Sequence, residues 1–142
     1  MLNRASMDSI QIFSLTLSGK GLEIAPHFTL GEFASHCGND MVMVHPKLVT
    51  GLMALREWAG VPVTINSSFR TPLHNSHVGG AAKSKHRLGQ AADVTVENKT
   101  PSEVAAWAEG MGWGGVGRYD NFTHLDVSGE GRRWDNRSNP SL

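Results

Sequence analysis

The chain has 142 residues, the length of one ordinary domain, and we predict a single domain over residues 1–142. Its residues are 39% hydrophobic and 18% charged and include 16 glycines, which is typical of a loop-rich globular protein and excludes a disordered chain. Thirteen basic residues balance thirteen acidic ones, so we expect neither nucleic acid nor an anionic membrane surface as a partner. The single cysteine, Cys37, excludes an intramolecular disulfide and a cysteine-based zinc finger, so any metal must be held by histidine and carboxylate groups.

The first 25 residues predict an extension that forms a strand or hairpin. Apolar residues alternate weakly from Ile10 to Leu17, and a glycine-containing turn follows at 18–21. Polar residues interrupt this stretch, so the sequence indicates neither a secretion signal nor a transmembrane span. Residues 28–35 then predict a short amphipathic helix, with Thr29 and Glu32 at the spacing of a capping box.

The middle of the chain predicts a helix, a strand and a long loop. The helix begins at His45-Pro46, repeats leucines along one face and ends at Gly60. Residues 61–67 are rich in β-branched residues and predict a strand that leads to Arg70. Residues 71–91 show no sustained apolar periodicity, and a loop of this length in a compact domain is usually functional.

The last third of the chain alternates strands with one helix. We predict strands over 92–96, 115–119 and 122–127, a helix that opens with a capping box at Thr100, and a frayed tail after Trp134. This order of elements predicts an α+β fold, in which a mostly antiparallel sheet carries helices packed on one side.

Three residues have the types and positions that a metal site needs. His86 and Asp93 are linked through Gly89 and can converge on one metal if the histidine ends a loop and the aspartate begins a strand. His124 is the best-placed third ligand, because strand alternation puts it on one face with Asp126. Spacing alone, however, favours a surface histidine and a strand-entry aspartate over a metal site.

Residues 84–93, Ser-Lys-His-Arg-Leu-Gly-Gln-Ala-Ala-Asp, resemble the SxHxxGxAxD signature of the M15 peptidases at every fixed position. That family includes D-alanyl-D-alanine carboxypeptidases, dipeptidases and L-alanyl-D-glutamate endopeptidases. The segments 65–72, 78–80 and 122–127 also resemble family motifs in the same order, and the resemblance covers residues 27–134. The pattern is most similar to the compact branch of phage-type and stand-alone domains, which carries an arginine and a tryptophan after HxD, here Arg133-Trp134.

The resemblance implies roles for five residues. His86, Asp93 and His124 match the zinc ligands, and a zinc ion with an open position polarises a carbonyl group and lowers the pKa of water. Arg70 matches an arginine that binds substrate near the scissile carbonyl, with a structural salt bridge as the alternative. Ser84 matches a substrate-contacting serine, with a plain turn serine as the alternative.

The general base is where this sequence departs from the family pattern. Better-known members carry Glu or Asp three residues before the last zinc histidine, but this position is Asn121, which cannot take a proton from water. Asp120 can replace the usual base if its turn brings it inward. Asp126 can serve as the base, or it can hold a zinc histidine in its correct tautomer. The sequence slightly favours Asp126 as the base, because alternation aims it at the site.

The resemblance implies a zinc metallopeptidase with its zinc site at the sheet cleft, which cuts D-amino-acid-containing peptides of bacterial peptidoglycan. The alternatives are a non-catalytic module that binds wall peptide and a zinc peptidase that acts on protein. Tyr119 and Trp134 are candidate residues for the sides of the cleft. We further expect a monomer and a phage-encoded lysis or virion-associated protein that acts at the bacterial cell wall or periplasm.

Overall fold

The protein is described by a computed structural model that covers residues 9–81, 84–129 and 131–140. The expectations for residues 1–8 lie outside these ranges. In the described part, no helix is long and apolar enough to cross a membrane. The elements in chain order are β1 (Gln11–Ser14), α1 (Leu15–Ser18), β2 (Glu23–Ala25), β3 (Phe28–Thr29), a 3₁₀ turn (Leu30–Phe33), β4 (Met41–Val44), α2 (Pro46–Ala59), β5 (Val63–Ser67), α3 (Pro72–His77), a second 3₁₀ turn (Lys85–Leu88), β6 (Ala91–Val96), α4 (Pro101–Gly110), β7 (Gly115–Arg118), β8 (Thr123–Asp126) and β9 (Arg132–Asp135).

A five-stranded sheet in the order β5-β6-β8-β7-β9 forms the centre of the fold. The first four strands are antiparallel neighbours, and β9 runs parallel to β7. Because side chains alternate along a strand, Val94, Val116 and Leu125 point into the core from one face. Asp93 and His124 are therefore carried on the opposite face.

Helices α2 and α4 cover the core face of the sheet. Leu48, Leu52 and Leu55 recur along one side of α2, are fully buried, and share one core cluster with the sheet residues. Val104 and Ala108 of α4 belong to the same cluster. The predicted α+β fold, with helices on one side of a mostly antiparallel sheet, is confirmed, and the opposite face is left for the site.

Of the strand or hairpin predicted within the first 25 residues, the structure contains the strand, β1, which pairs outside this stretch and so does not form a hairpin within it. Strand β1 pairs with β4, and β2 pairs with β3. The pairing of β1 with β4 is stabilised by Asp40, whose carboxylate accepts a hydrogen bond from the Thr16 backbone N–H at 2.7 Å. The helix predicted over 28–35 is wrong: β3 ends at Thr29 and a single 3₁₀ turn follows at Leu30–Phe33. The predicted capping contact is present, because Glu32 accepts from the Thr29 N–H at 2.7 Å.

Two further expectations are corrected. Residues 71–91 include short structure of their own, namely α3 and the 3₁₀ turn at Lys85–Leu88. Local capping explains both, because Thr71 and Ser84 accept hydrogen bonds from backbone N–H groups of the turns that follow them. The tail is not frayed at Trp134, because β9 adds to the sheet beside β7 through Asp135.

Candidate metal centre and substrate cleft

One row of paired positions crosses the sheet and carries the core of the site. Ser67 lies opposite Asp93, Asp93 opposite His124, His124 opposite Gly117, and Gly117 opposite Trp134. Side chains at directly paired positions project from the same face of a sheet. The row therefore places Asp93 beside His124. Trp134 lies two strands away from His124 in the same row, with Gly117 between them.

His86 joins this row from the 3₁₀ turn before β6. Its Nε2 atom lies 3.2 Å from Asp93 Oδ1, and His124 Nδ1 lies 3.0 Å from the same oxygen. One ligand atom from each of the three residues falls within 4.8 Å of the others. All three residues are buried, with 3%, 7% and 8% of their surface exposed for His86, Asp93 and His124. The structure thus brings together the three residues that the sequence proposes as ligands.

Contacts behind the histidines fix which ring nitrogen faces the cluster. His86 Nδ1–H donates to the Ser68 carbonyl at 2.7 Å, so Nε2 is the ring nitrogen that faces Asp93. His124 Nε2–H donates to Asp126 Oδ2 at 2.8 Å, so Nδ1 is the ring nitrogen that faces the cluster. Metal-ligating histidines commonly donate their other N–H to a carbonyl or carboxylate in this way. Two imidazole nitrogens and a carboxylate oxygen are a donor set that suits zinc, so the residues fit this metal.

The ionisation of the cluster also favours a cation. Burial raises the pKa of Asp93, but hydrogen bonds from His124 and His86 outweigh it and hold that pKa well below its usual value. Burial lowers the pKa of His124, but contacts with Asp126 and Asp93 outweigh it and raise that pKa. Asp93 is therefore ionised at neutral pH, and the cluster around its carboxylate attracts either a proton or a metal ion.

Asp126 is completely buried behind His124. Its Oδ2 accepts from His124 and from Arg132 Nη2, at 2.8 and 2.9 Å, while its Oδ1 accepts from the Ser128 N–H and hydroxyl group at 3.2 and 2.6 Å. Burial raises the pKa of Asp126, but the His124 and Ser128 contacts outweigh it and lower that pKa. Asp126 thus contacts a candidate ligand but does not line the cleft.

Arg70 combines a structural ion pair with a place in the cleft wall. Its Nη2 donates to Asp93 Oδ2 at 3.1 Å, and its Nε donates to Ser67 Oγ at 3.1 Å. Its Nη1 donates to Asn75 Oδ1 at 3.3 Å. Asn75 is itself buried and donates from Nδ2 to the Ala81 carbonyl at 2.8 Å, so it holds both Arg70 and the adjacent cleft wall. Sequence reasoning missed Asn75, and its only signal was a polar residue one helical turn after Arg70.

An open cleft of about 450 Å³ lies above the cluster. Ser84 lines it, and the Ser84 hydroxyl accepts from the His86 N–H at 3.2 Å. Both Tyr119 and Trp134 line it as well, and Trp134 Nε1 donates to the Tyr119 hydroxyl at 2.9 Å. The basic residues of the lining are Arg70, Lys85 and Arg132.

Asp120 and Asn121 lie away from this cleft, beside a separate depression near the start of α4. The Asp120 carboxylate is exposed and accepts from the Ser138 N–H at 2.8 Å, and Ser138 lowers its pKa. Among the described residues that line the cleft, Asp93 is the only carboxylate. Neither candidate for the general base therefore faces the cleft directly.

Two glycines in β7 make room for the site. A Cβ at Gly115 would overlap the Asp126 carboxylate, and a Cβ at Gly117 would overlap the Trp134 indole. With a hydrogen at Gly117, the Trp134 ring reaches across β7 to lie 5.0 Å from the His124 ring. The alternating glycines at 115 and 117 were visible in the sequence. Only the pairing of β7 with β8 and β9 shows that they leave space for Asp126 and Trp134.

A buried His-Asp-His cluster at the floor of an open cleft is the arrangement of a catalytic zinc site, with three protein ligands and a position left for substrate or water. The site therefore has the form found in metal-dependent hydrolases. Residues 26–126 match the model of the family described as peptidase M15, and this chain belongs to that family.

Two curated relatives extend the comparison. The chain is 35% identical over 89 residues to a zinc D-Ala-D-Ala carboxypeptidase from Streptomyces albus G, an alignment that covers 58% of this chain and 34% of that protein. It is 33% identical over 111 residues to the peptidoglycan L,D-endopeptidase MepK of Escherichia coli strain K12, covering 72% of this chain and 60% of that protein. The chain thus spans between a third and three-fifths of the length of these relatives.

Proposed function

We propose that this protein is a zinc metallopeptidase that hydrolyses peptide bonds in the D-amino-acid-containing peptides of bacterial peptidoglycan. The observation that carries this proposal is the convergence of His86, Asp93 and His124 at the floor of an open cleft. Membership of the M15 family supports it, as does the similarity to a zinc D-Ala-D-Ala carboxypeptidase and to a peptidoglycan L,D-endopeptidase.

In this proposal His86, Asp93 and His124 would hold the zinc ion. When bound there, zinc would polarise the scissile carbonyl and make water a better nucleophile at neutral pH. Arg70 stands beside Asp93 in the cleft wall, and its permanent charge suits a developing oxyanion or a substrate carboxylate. Ser84 lines the same wall and is available to contact the substrate backbone.

We assign Asp126 a positioning role as the better supported of the two that the sequence allows. Its carboxylate is fully buried, and both its oxygens are occupied by His124, Arg132 and Ser128. A group held in this way orients the imidazole and raises its basicity, but has no direct path to a proton in the cleft. Asp120 as general base stays a separate hypothesis, which the Asp120→Ala variant tests: a large fall in kcat with unchanged zinc content supports it, and unchanged kcat contradicts it.

A non-catalytic module that binds wall peptide is the second candidate function. The specific observation in its favour is that Asp93, itself a candidate ligand, is the only carboxylate among the described cleft-lining residues. Such a module would retain zinc and bind stem peptides without turnover.

Mass spectrometry of reaction products separates these functions. Zinc-loaded protein is incubated with purified peptidoglycan, and the Asp93→Ala variant serves as the inactive control. New amino termini in the muropeptides, or stems shortened by release of an amino acid, are expected and should be absent from the control. An intact muropeptide profile together with tight zinc and peptide binding would contradict hydrolysis and favour the binding module, whereas cleavage of denatured protein alone would indicate a protein substrate.

We also propose that the protein acts as a monomer in phage lysis or as a virion-associated protein, at the cell wall. The resemblance of its motifs to the compact phage-type branch supports this setting. Light scattering after gel filtration tests the oligomeric state, and lysis of cells on co-expression with a holin tests the setting.

A further inference from the structure

The lining of the cleft carries more positive than negative charge. Arg70, Lys85 and Arg132 contribute cationic groups, while Asp93 is the only described carboxylate in the lining. A zinc ion held by Asp93 would add further positive charge. Because clefts focus the field of the charges that line them, this cleft attracts an anionic partner.

Arg132 occupies a defined place in this lining. It lies opposite Gly115 in the sheet, and Gly115 lies opposite Asp126, so the arginine reaches across the glycine to bond Asp126 Oδ2 at 2.9 Å. Its guanidinium carbon lies 5.1 Å from the centre of the Trp134 ring. The side chain nonetheless keeps 39% of its surface exposed. The side chain is thus held by Asp126 and packed against Trp134, and it is still partly exposed to the cleft.

The two guanidinium groups stand at opposite edges of the sheet. Arg70 follows β5, which is one edge strand, and Arg132 lies on β9, which is the other. The strands that carry Asp93 and His124 lie between them. An extended peptide that crosses the cluster along the row of paired residues therefore meets Arg70 at one edge, and at the other edge it meets Trp134 with Arg132 packed against it.

We propose that Arg132 binds a second carboxylate of the substrate, so that the enzyme selects peptides with a free carboxylate on the β9 side of the scissile bond. This inference rests on the proposed function and names the substrate class of the same cleft. A guanidinium has five N–H donors in a planar fork, so it can serve Asp126 and a substrate carboxylate together. A carboxamide in the same place loses the charge and one acceptor oxygen, and binds less well.

A pair of substrates tests the proposal. One is a set of soluble muropeptides with free carboxylates, and the other is the same set after carbodiimide coupling to methylamine. Zinc-loaded wild-type protein should cleave the free form with a kcat/KM about tenfold or more above that for the amidated form, as expected for a charge-assisted hydrogen bond. Arg132→Gln should reduce this ratio by about tenfold, leaving only the discrimination that Arg70 provides.

Two further variants separate recognition from a general effect of charge or folding. Arg133→Gln removes the same charge one residue along β9, from a side chain that bonds the Gly114 and Arg132 carbonyls and does not line the cleft, and it should keep the wild-type ratio. Arg132→Lys keeps the charge without the fork and should give an intermediate ratio. Zinc content is measured for each variant, so that loss of the metal is recognised.

Several outcomes would overturn the inference. One is a wild-type ratio near one, and another is an Arg132→Gln ratio equal to that of wild type. An equal fall for both substrate forms would mean that Arg132 acts only through Asp126. If Arg132→Gln and Arg133→Gln lowered the ratio equally, the preference would depend on the overall charge of the protein and not on Arg132.

A binding measurement keeps this test separate from that of the proposed function. The affinity of zinc-loaded protein for free and amidated muropeptides is measured by calorimetry under conditions without turnover. Failure to cleave any muropeptide would contradict the proposed function, while an Arg132-dependent preference in affinity would still support the inference. No Arg132-dependent preference in affinity, with cleavage intact, would overturn the inference alone.

Discussion

Two guanidinium–carboxylate pairs flank the cluster, and they differ in how directly they act on it. Arg70 bonds Asp93, which is itself a candidate metal ligand, at 3.1 Å. Arg132 bonds Asp126 at 2.9 Å, and Asp126 reaches the cluster only through His124. One guanidinium–carboxylate pair thus includes a candidate metal ligand, while the other is separated from the cluster by His124. The effect of a substitution should fall with each contact that separates it from the cluster.

The largest effect is expected when Asp93 loses its charge. Asp93→Asn removes the negative charge of a candidate ligand and leaves Arg70 and both histidines without their common anionic partner. We expect zinc affinity to fall by more than the roughly 100-fold that outer contacts contribute, with loss of peptidase activity. Competition with a chromogenic chelator measures the affinity. Retention of tight zinc binding would show that Asp93 is not a ligand.

The corresponding change on the other side of the cluster should be milder. Asp126→Asn keeps the shape of the side chain but weakens its hold on His124, so we expect zinc affinity to fall by about 10- to 100-fold. Excess zinc should restore much of the activity if Asp126 positions the ligand. The matched control is Asp40→Asn, which removes a carboxylate held by Ser14 and Thr16. A complete loss of kcat at saturating zinc would instead support Asp126 as the general base.

A smaller effect is expected from closing the space that lets Trp134 approach His124. Gly117→Ala places a methyl group against the indole, which must move, and we expect a loss of stability of about 1–3 kcal/mol. Activity should fall with it, because the cleft wall shifts. Gly110→Ala is the control, since a Cβ there meets nothing and alanine favours the end of α4. Thermal unfolding that is equally affected in both variants would contradict the steric argument.

The smallest effect is expected at Asn75, which supports only the Arg70 side. Asn75→Ala removes the acceptor for Arg70 Nη1 and the donor to the Ala81 carbonyl, so we expect KM to rise a few-fold and stability to fall by about 1–3 kcal/mol. Asn75→Asp retains an acceptor for Arg70 and should raise KM less. An unchanged KM in both variants would show that Arg70 is held well enough by Asp93 and Ser67.

Local sequence patterns predicted the elements whose backbone hydrogen bonds form within the element itself, namely the helices. Helix α2 was readable from its proline start, its leucine stripe and Gly60, which takes the left-handed conformation with φ 67°. Helix α4 was readable from the capping box of Thr100 and Glu103. Strand β9 was missed, because its alternation is short and its stability comes from pairing with β7, which no local pattern reveals. The pairing of β1 with β4 was missed for the same reason.

The sequence by itself determined the chemistry of the site: His86 and Asp93 in a motif that resembles the M15 signature, and His124 on a strand with Asp126. This was possible because the motif at 84–93 is a local stretch of chain that can be compared with the family signature, whereas spacing alone favoured a surface histidine and a strand-entry aspartate. Only the tertiary structure decided which atoms face the cluster, why β7 carries glycines at 115 and 117, and that Asp120 lies outside the cleft while Asp126 is buried behind His124. These facts depend on strand order and register, which long-range contacts set.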